Sequence, residues 1–252
     1  MLSASQQKFL TSLHVKKYRQ KYRKFIVEGD KLVVELLAQQ RIGISAIYGL
    51  ESWAALRADW LRHHQTKFAA IRDADLKKIS TLHTPNQVLA VAEMPVEQDA
   101  RLAAPVARAF YLDGIQDPGN MGAILRIADW FGLTPVYCSP DSVDPYSPKV
   151  VQSGMGAVFR VPVFETTLDA VLEAAPGLPV LGADMDGADV FRTPLPERGL
   201  LVIGNEGKGI SPAVAARLSA RVSIPRPPGG QAESLNAAVA AGILAAVWVN
   251  SR

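Results

Sequence analysis

With 252 residues, of which 48% are hydrophobic, the chain can fill the core of one large domain or two modest ones. A single cysteine, Cys138, excludes an internal disulfide and a cysteine-rich zinc cluster. The opening residues Met1 to Lys8 also lack the charged-then-apolar pattern of a secretory signal, so a folded protein of the reducing cytoplasm is expected. The net charge of +3 is unevenly spread: residues 1–93 carry 15 Lys and Arg against 8 Asp and Glu, and the remainder 12 against 16.

The basic excess starts early. Lys16, Lys17, Arg19, Lys21, Arg23 and Lys24 fall within nine positions, with Tyr18 and Tyr22 among them and no acid before Glu28. Cations interleaved with aromatic rings suit the phosphates and stacked bases of RNA, and a solvated helix is the competing account. Phe25-Ile26-Val27 then reads as a short strand, and Asp30 can cap a helix whose apolar face is Leu32, Val33, Leu36 and Leu37. Ile44 to Tyr48 predicts a strand, Trp53 to Leu61 a helix, Phe68 to Ile71 a strand, Asp73 the cap of a short helix, and Val88 to Val91 a further strand. This alternation predicts a small α/β domain over residues 1–95. Met94 to Pro105, with two prolines and no apolar period, reads as a connection, which puts the linker at 96–106.

A second α/β unit is expected over 107–252. Its strands are predicted at Ala109–Leu112, Pro135–Cys138, Val161–Phe164, Val180–Gly182, Leu200–Ile203 and Arg221–Ile224. Helices are expected at Met121–Phe131, near Pro148–Ser153, and at Thr167–Ala174, Ser211–Leu218 and Ser234–Trp248. The longest apolar run, Ala237 to Val249, falls short of the roughly 18 residues of a membrane span and fits a buried helix, so no membrane insertion is expected.

Three predicted strands run into polar, glycine-containing turns: Asp113 to Gly122, Gly204 to Gly209, and Pro225 to Asn236. Open α/β sheets bind ligands at such strand ends, and three of these turns can converge on one pocket. Gly114, Gly119 and Gly122 do not have the spacing of a dinucleotide fingerprint. Gly207-Lys208 lacks the upstream glycine and the following Ser or Thr of a P-loop. All four histidines (His14, His63, His64 and His83) precede the second unit, which leaves its loops without an imidazole base or a metal-ligand set. The polar groups available to an enzyme there are Asn, Arg, Glu and Ser, and no metal is expected.

The order of these residues resembles a known family. Asn120-x-Gly122-Ala123-Ile124-x-Arg126-x-Ala128-x-x-Phe131-Gly132 is similar to motif 1 of the SpoU (TrmH) methyltransferases of the SPOUT superfamily. Gly204-Asn205-Glu206-Gly207-x-Gly209-Ile210 resembles motif 2, and Ile224-Pro225 with Glu233-Ser234-Leu235-Asn236 through Ala240 resembles motif 3. Ser153-Gly154-Met155-Gly156-Ala157, followed by Phe159 and Pro162, resembles a further landmark. Tyr22 to Asp30 resembles the start of a substrate-binding domain akin to RNA-binding ribosomal proteins. One departure is Arg226 to Ala232, where many relatives carry a Met and a short Gly/Ser turn.

The resemblance implies an α/β fold with a mostly parallel sheet and a deep trefoil knot, and S-adenosylmethionine as cofactor. It further implies methylation of a ribose 2′-hydroxyl in structured RNA. Ribosomal RNA, as a 23S-type guanosine, is the first expectation; transfer RNA is the alternative within the enzyme class, and an inactive RNA-binding or ribosome-assembly factor the alternative outside it. Carried over by position, Gly204, Asn205, Glu206, Gly207, Ile224, Ser234 and Leu235 would hold the cofactor, and Asn120, Arg126, Glu206, Ser234 and Asn236 would serve the chemistry. Competing structural roles are core packing for Ile224 and Leu235, helix capping for Asn120 and Ser234, local backbone bonding for Asn236, an exposed turn for Glu206, and a surface ion pair for Arg126. A guanidinium with a pKa above about 12 is a poor base, so Arg126 is read as aligning phosphate and hydroxyl. A homodimer is expected from the apolar terminal helix, with Leu235, Val239, Ile243, Leu244, Val247 and Trp248, and family members pair through this region.

Overall fold

Ser3 starts helix α1 (Ala4–Ser12) with a capping box: its hydroxyl accepts the Gln6 N–H at 3.2 Å, and Gln6 Oε1 accepts the Ser3 N–H at 2.9 Å. A computed structural model of the chain describes residues 2–63, 67–96, 107–229 and 231–251. The expected linker at 96–106 lies, beyond Val96, outside the described residues. After α1 come α2 (Lys16–Tyr22), β1 (Lys24–Glu28), α3 (Asp30–Ala38), β2 (Ile44–Gly49), α4 (Glu51–Leu56), α5 (Ala58–His63), β3 (Phe68–Ala70), α6 (Asp73–Ile79) and β4 (Val88–Glu93). The sheet runs β1-β4-β2-β3, with β4 antiparallel to both β1 and β2, and β3 parallel to β2. Leu10, Leu13, Ile26, Leu76, Leu89 and Val91 fill one side of it.

Details differ from the sequence reading. The helix expected over Trp53 to Leu61 is broken at Arg57 into α4 and α5. Asp30 and Asp73 are first helical residues, and Gly29 and Arg72 occupy the cap positions. Asp30 instead accepts from Trp53 Nε1 at 2.7 Å and from Arg57 at 3.0 Å. Burial raises its carboxyl pKa, but the bonds from Trp53 and Arg57 outweigh that and hold it below the ordinary value.

The second half contains β5 (Arg108–Asp113), α7 (Pro118–Phe131), β6 (Val136–Cys138), α8 (Pro148–Ser153), β7 (Val163–Glu165), α9 (Leu168–Ala174), β8 (Val180–Asp189), β9 (Gly199–Gly204), α10 (Pro212–Ala215), β10 (Ala220–Ser223) and α11 (Ala237–Asn250). The six strands form one parallel sheet in the order β10-β8-β9-β5-β6-β7. Such sheets are buried on both faces, so their strands read as continuous apolar runs, as Leu200 to Ile203 does. Tyr111 and Tyr137 are buried in this core; burial raises both phenol pKa values, Tyr137 to about 12, and keeps them neutral. No helix among the described residues is long and apolar enough to cross a membrane.

By its contacts the chain forms two units: Met1–Val96 with Tyr146–Arg160, and Glu97–Pro145 with Val161–Arg252. Residues 146–160, within the span expected from the sequence for the second domain, pack with the first unit. Phe25 meets Tyr146 with ring centroids 5.1 Å apart, Arg41 Nε donates to the Phe159 carbonyl at 2.9 Å, and Arg160 pairs with Glu35. Periodicity places α8 in chain order but carries no information on which core receives it.

Candidate functional site

Asp113 lies opposite Gly204 in the β5–β9 ladder, so the loops that leave these strands start side by side at the carboxyl edge of the sheet. Gly114, with φ +68°, turns the first loop, and its N–H donates to Ser139 Oγ at 2.8 Å. The second loop is tied to the first by Asn205, whose Nδ2 donates to the Gly114 carbonyl at 2.7 Å. Asn205 Oδ1 accepts the N–H groups of Gly207 and Lys208, each at 3.0 Å. At Gly204 a Cβ would lie 2.5 Å from the Gly209 carbonyl carbon and 2.6 Å from the Ile210 nitrogen, so the returning loop requires glycine there. Ser139, and Asp113, which accepts the Ser211 N–H at 2.7 Å, were not singled out from sequence. The only signal for Ser139 was its place in the polar turn after β6.

The third loop leaves β10 at the far edge of the sheet, beyond β8, and has to return past the ends of β8 and β9. It arrives at Asn236, whose Oδ1 accepts the N–H groups of Ala238 at 3.0 Å and Val239 at 3.2 Å and so caps α11. With its oxygen committed to the helix, the Asn236 amide nitrogen faces outward and donates to Asn120 Oδ1 at 2.8 Å. That leaves the Asn120 nitrogen to donate to Glu206 Oε1 at 2.7 Å. One directed chain of hydrogen bonds therefore joins motif 3, motif 1 and motif 2. Asn120 is 8% exposed, whereas Glu206 and Asn236 are exposed.

Asp117, followed by Pro118 at the first turn, caps α7 by accepting the Asn120 backbone N–H at 2.8 Å, so the Asn120 side chain is not the cap. Helix α11 starts at Ala237 behind Asn236, and Ser234 lies outside it. Gly207 and Ser234 are exposed. Ile224 is half-buried and Leu235 is 49% exposed, so ordinary core packing does not explain either.

Arg126 stays outside this constellation: it is exposed and makes no ion pair among the described residues. Six residues along a helix amount to about 9 Å of rise and about 240° of rotation, which separates it from Asn120 on α7. Between them runs an apolar stripe of Ala123, Ile127 and the 83% exposed Trp130. Beside Ile127 lies α11, where Val239, Gly242 and Ile243 help to line a shallow groove that ends at Asn120 and Asn236. Leu244 and Trp248 are buried in their own unit, and Leu235 precedes the helix, so the apolar surface expected on α11 reduces to exposed Val239 with half-buried Ile243 and Val247.

The six basic residues of the first unit also divide. Lys17 and Lys21 are exposed and Lys16 is half-buried. Arg19 is 3% exposed and donates to the Leu13 carbonyl at 2.9 Å, which removes it from any RNA-facing set and makes it a tie between α1 and α2. Arg23 donates to the Pro95 carbonyl, and Lys24 contacts the Ser45 hydroxyl and lies 3.6 Å from Glu93.

Comparison with known proteins agrees with this arrangement. Residues 107–246 match the model of the SpoU rRNA Methylase family, and residues 5–90 match an MRM3-like substrate binding domain. The chain is 33% identical over 235 residues to the 23S rRNA (guanosine(2553)-2'-O)-methyltransferase RlmP of Bacillus subtilis, covering 92% of this chain and 91% of that one. Among solved structures, a TrmH-family protein from Porphyromonas gingivalis superposes with a TM-score of 0.84 at 41% identity, covering 98% of both chains. The SpoU methyltransferase AviRb from Streptomyces viridochromogenes, in complex with AdoMet, gives 0.85 at 28% identity, covering 98% of this chain and 97% of that one.

Proposed function

Because this chain belongs to the SpoU rRNA methylase family, we propose that it methylates a ribose 2′-hydroxyl of ribosomal RNA with S-adenosylmethionine, a guanosine of 23S-type RNA being the first target. The observation that carries this reading is the bonded series Asn236–Asn120–Glu206, which draws three loops together at the carboxyl edge of a parallel sheet.

The residues present fit the cofactor. Half-buried Ile224 and exposed Leu235 are apolar, as the walls of an adenine slot would be, and Gly207, exposed and without a side chain, lets the motif 2 backbone approach a ligand closely. When bound, S-adenosylmethionine supplies a sulfonium-activated methyl group. Asn205 holds the motif 2 loop, and Asn120 fixes Glu206, which orients a sugar hydroxyl. Ser234 and Asn236 close the site from motif 3. Arg126, with a rigid planar fork, grips the phosphate next to the target ribose and aligns the 2′-oxygen, and the hydroxyl proton leaves to a phosphate oxygen. Lys16, Lys17, Lys21, Arg23 and Lys24 supply the sequence-independent attraction to RNA.

Exposed Leu235, Val239 and Trp130, with the half-buried Ile243 and Val247 of α11 and Ala123 and Ile127 of α7 beside them, support a homodimer in which two copies cover each other. Asn120 and Arg126 sit about 60° to either side of the α7 stripe, so pairing there would border both with partner surface. One cysteine, buried in β6, fits a cytoplasmic enzyme. The test is transfer of a labelled methyl group from S-adenosylmethionine to ribosomal RNA by the purified chain. Cofactor binding without incorporation would favour an assembly factor, and incorporation into transfer RNA alone would change the substrate class.

A further inference from the structure

The first unit bears an aromatic surface that the methyl-transfer site does not use. Val15, at the cap of α2, with Tyr18 and Tyr22 recurs at helical spacing; the three are 52%, 36% and 37% exposed, whereas Leu10 and Leu13 of the same unit are fully buried. The two tyrosine rings are nearly parallel, with centroids 6.3 Å apart and planes 15° from each other. Phe9 of α1 meets Tyr22 edge-on at 5.2 Å and 71°, which pins that ring, whereas Tyr18 has Tyr22 as its only ring contact among the described residues. Lys21 Nζ lies 5.4 Å from the Tyr22 centroid, Lys17 is exposed on the same short helix, and no acidic residue precedes Glu28 in the chain.

Apolar rings left in water cost free energy unless something covers them. Lysines and rings in one stretch of chain that holds no acid are matched part by part by a nucleotide: a flat base for the ring and a phosphate for each ammonium. Paired RNA keeps its bases stacked inside the helix and offers mainly phosphates and 2′-hydroxyls, so a duplex would engage the lysines and leave the rings idle. Because Phe9 already holds Tyr22, stacking would cost little further ordering.

We propose that Tyr18, buttressed by Tyr22, is a stacking platform for an unpaired base of the substrate RNA, with Lys17 and Lys21 on the adjoining phosphates. The proposal rests on the RNA-methylating reading above and adds that the substrate presents a single-stranded element to the first unit.

The test uses the full chain and its Tyr18→Leu and Tyr18→Phe variants, with two probes. One is a single-stranded RNA of about 12 nucleotides carrying 2-aminopurine; the other is a blunt RNA duplex of about 16 base pairs. Stacking predicts quenched 2-aminopurine fluorescence with wild type and Tyr18→Phe. Tyr18→Leu should lose the quench and bind the single strand on the order of 10-fold more weakly. Duplex affinity should stay the same for all three proteins. Equal loss for both probes, no loss for either, or a changed oligomeric mass in solution for Tyr18→Leu would each overturn the platform, the last by assigning the stripe to a protein contact. Methylation of ribosomal RNA by the wild type is scored separately, so its absence would remove the enzymatic reading while the fluorescence result still judges the platform.

Discussion

Replacing Asn120 by alanine separates a structural from a chemical role for the bonds between the three loops. The α7 cap survives the change, because Asp117 accepts the backbone N–H of residue 120 and not its side chain. The substitution deletes two side-chain hydrogen bonds, at 2.7 Å to Glu206 and 2.8 Å to Asn236. Both partners are exposed and water can satisfy them, so each bond is worth the low end of about 0.5–1.5 kcal/mol. Total destabilisation should be about 1 kcal/mol, a melting shift of a few degrees. The rate should fall much further, because Glu206 loses the only side-chain contact that orients it among the described residues. A displacement of about 1 Å in a catalytic group can cost on the order of 100-fold. Asn120→Asp should be no better than alanine, since it sets a second carboxylate against Glu206. Single-turnover methyl transfer under saturating RNA and cofactor, run beside thermal unfolding, reads both quantities. A transfer rate within a few-fold of wild type for Asn120→Ala would refute the idea that this chain of bonds organises the chemistry.

Arg126→Ala should leave stability within about 0.5 kcal/mol, as expected of an exposed side chain with no ion pair among the described residues. Single-turnover transfer should nevertheless drop on the order of 100-fold to 1000-fold, with Arg126→Lys also poor; an unchanged rate would remove the residue from the mechanism. Val239→Glu, a charge placed in the uncovered α11 stripe, should shift the protein from dimer to monomer in light scattering, and a wild type of monomeric mass would end the dimer proposal. Lys17→Ala with Lys21→Ala should reduce the slope of log affinity against log salt by about 2 while cofactor affinity stays constant, and an unchanged slope would return this stretch to a solvated helix.

Every strand expected from the sequence is present, because short apolar runs bounded by Gly, Pro and Asp leave little room for another assignment. The loop residues that meet were also visible, since Asn120, Glu206 and Asn236 fall in the three motifs that follow β5, β9 and β10. Their order in the bonded series was not legible: it follows from Asn236 committing its oxygen to α11, a fact of three-dimensional capping. Arg19 shows the limit of charge counting, because a cation in a basic run can be the one turned inward to hold a carbonyl. The attachment of Tyr146–Arg160 to the first unit depends on long-range contacts such as Arg41 with Phe159, and neither residue carries a local sign of them. Leu244 and Trp248 belong to the same apolar helix as Val239, and only the fold decides which of its faces is covered.

The most direct test of the central claim uses ribosomal RNA from cells lacking this protein, incubated with the purified enzyme and methyl-labelled S-adenosylmethionine and then hydrolysed with alkali. A methyl group on the 2′-oxygen blocks cleavage at that nucleotide, so the account predicts label in an alkali-resistant dinucleotide derived from the large-subunit RNA. Label in mononucleotides, which would mean methylation of a base, or no incorporation by a protein that binds the cofactor, would contradict it.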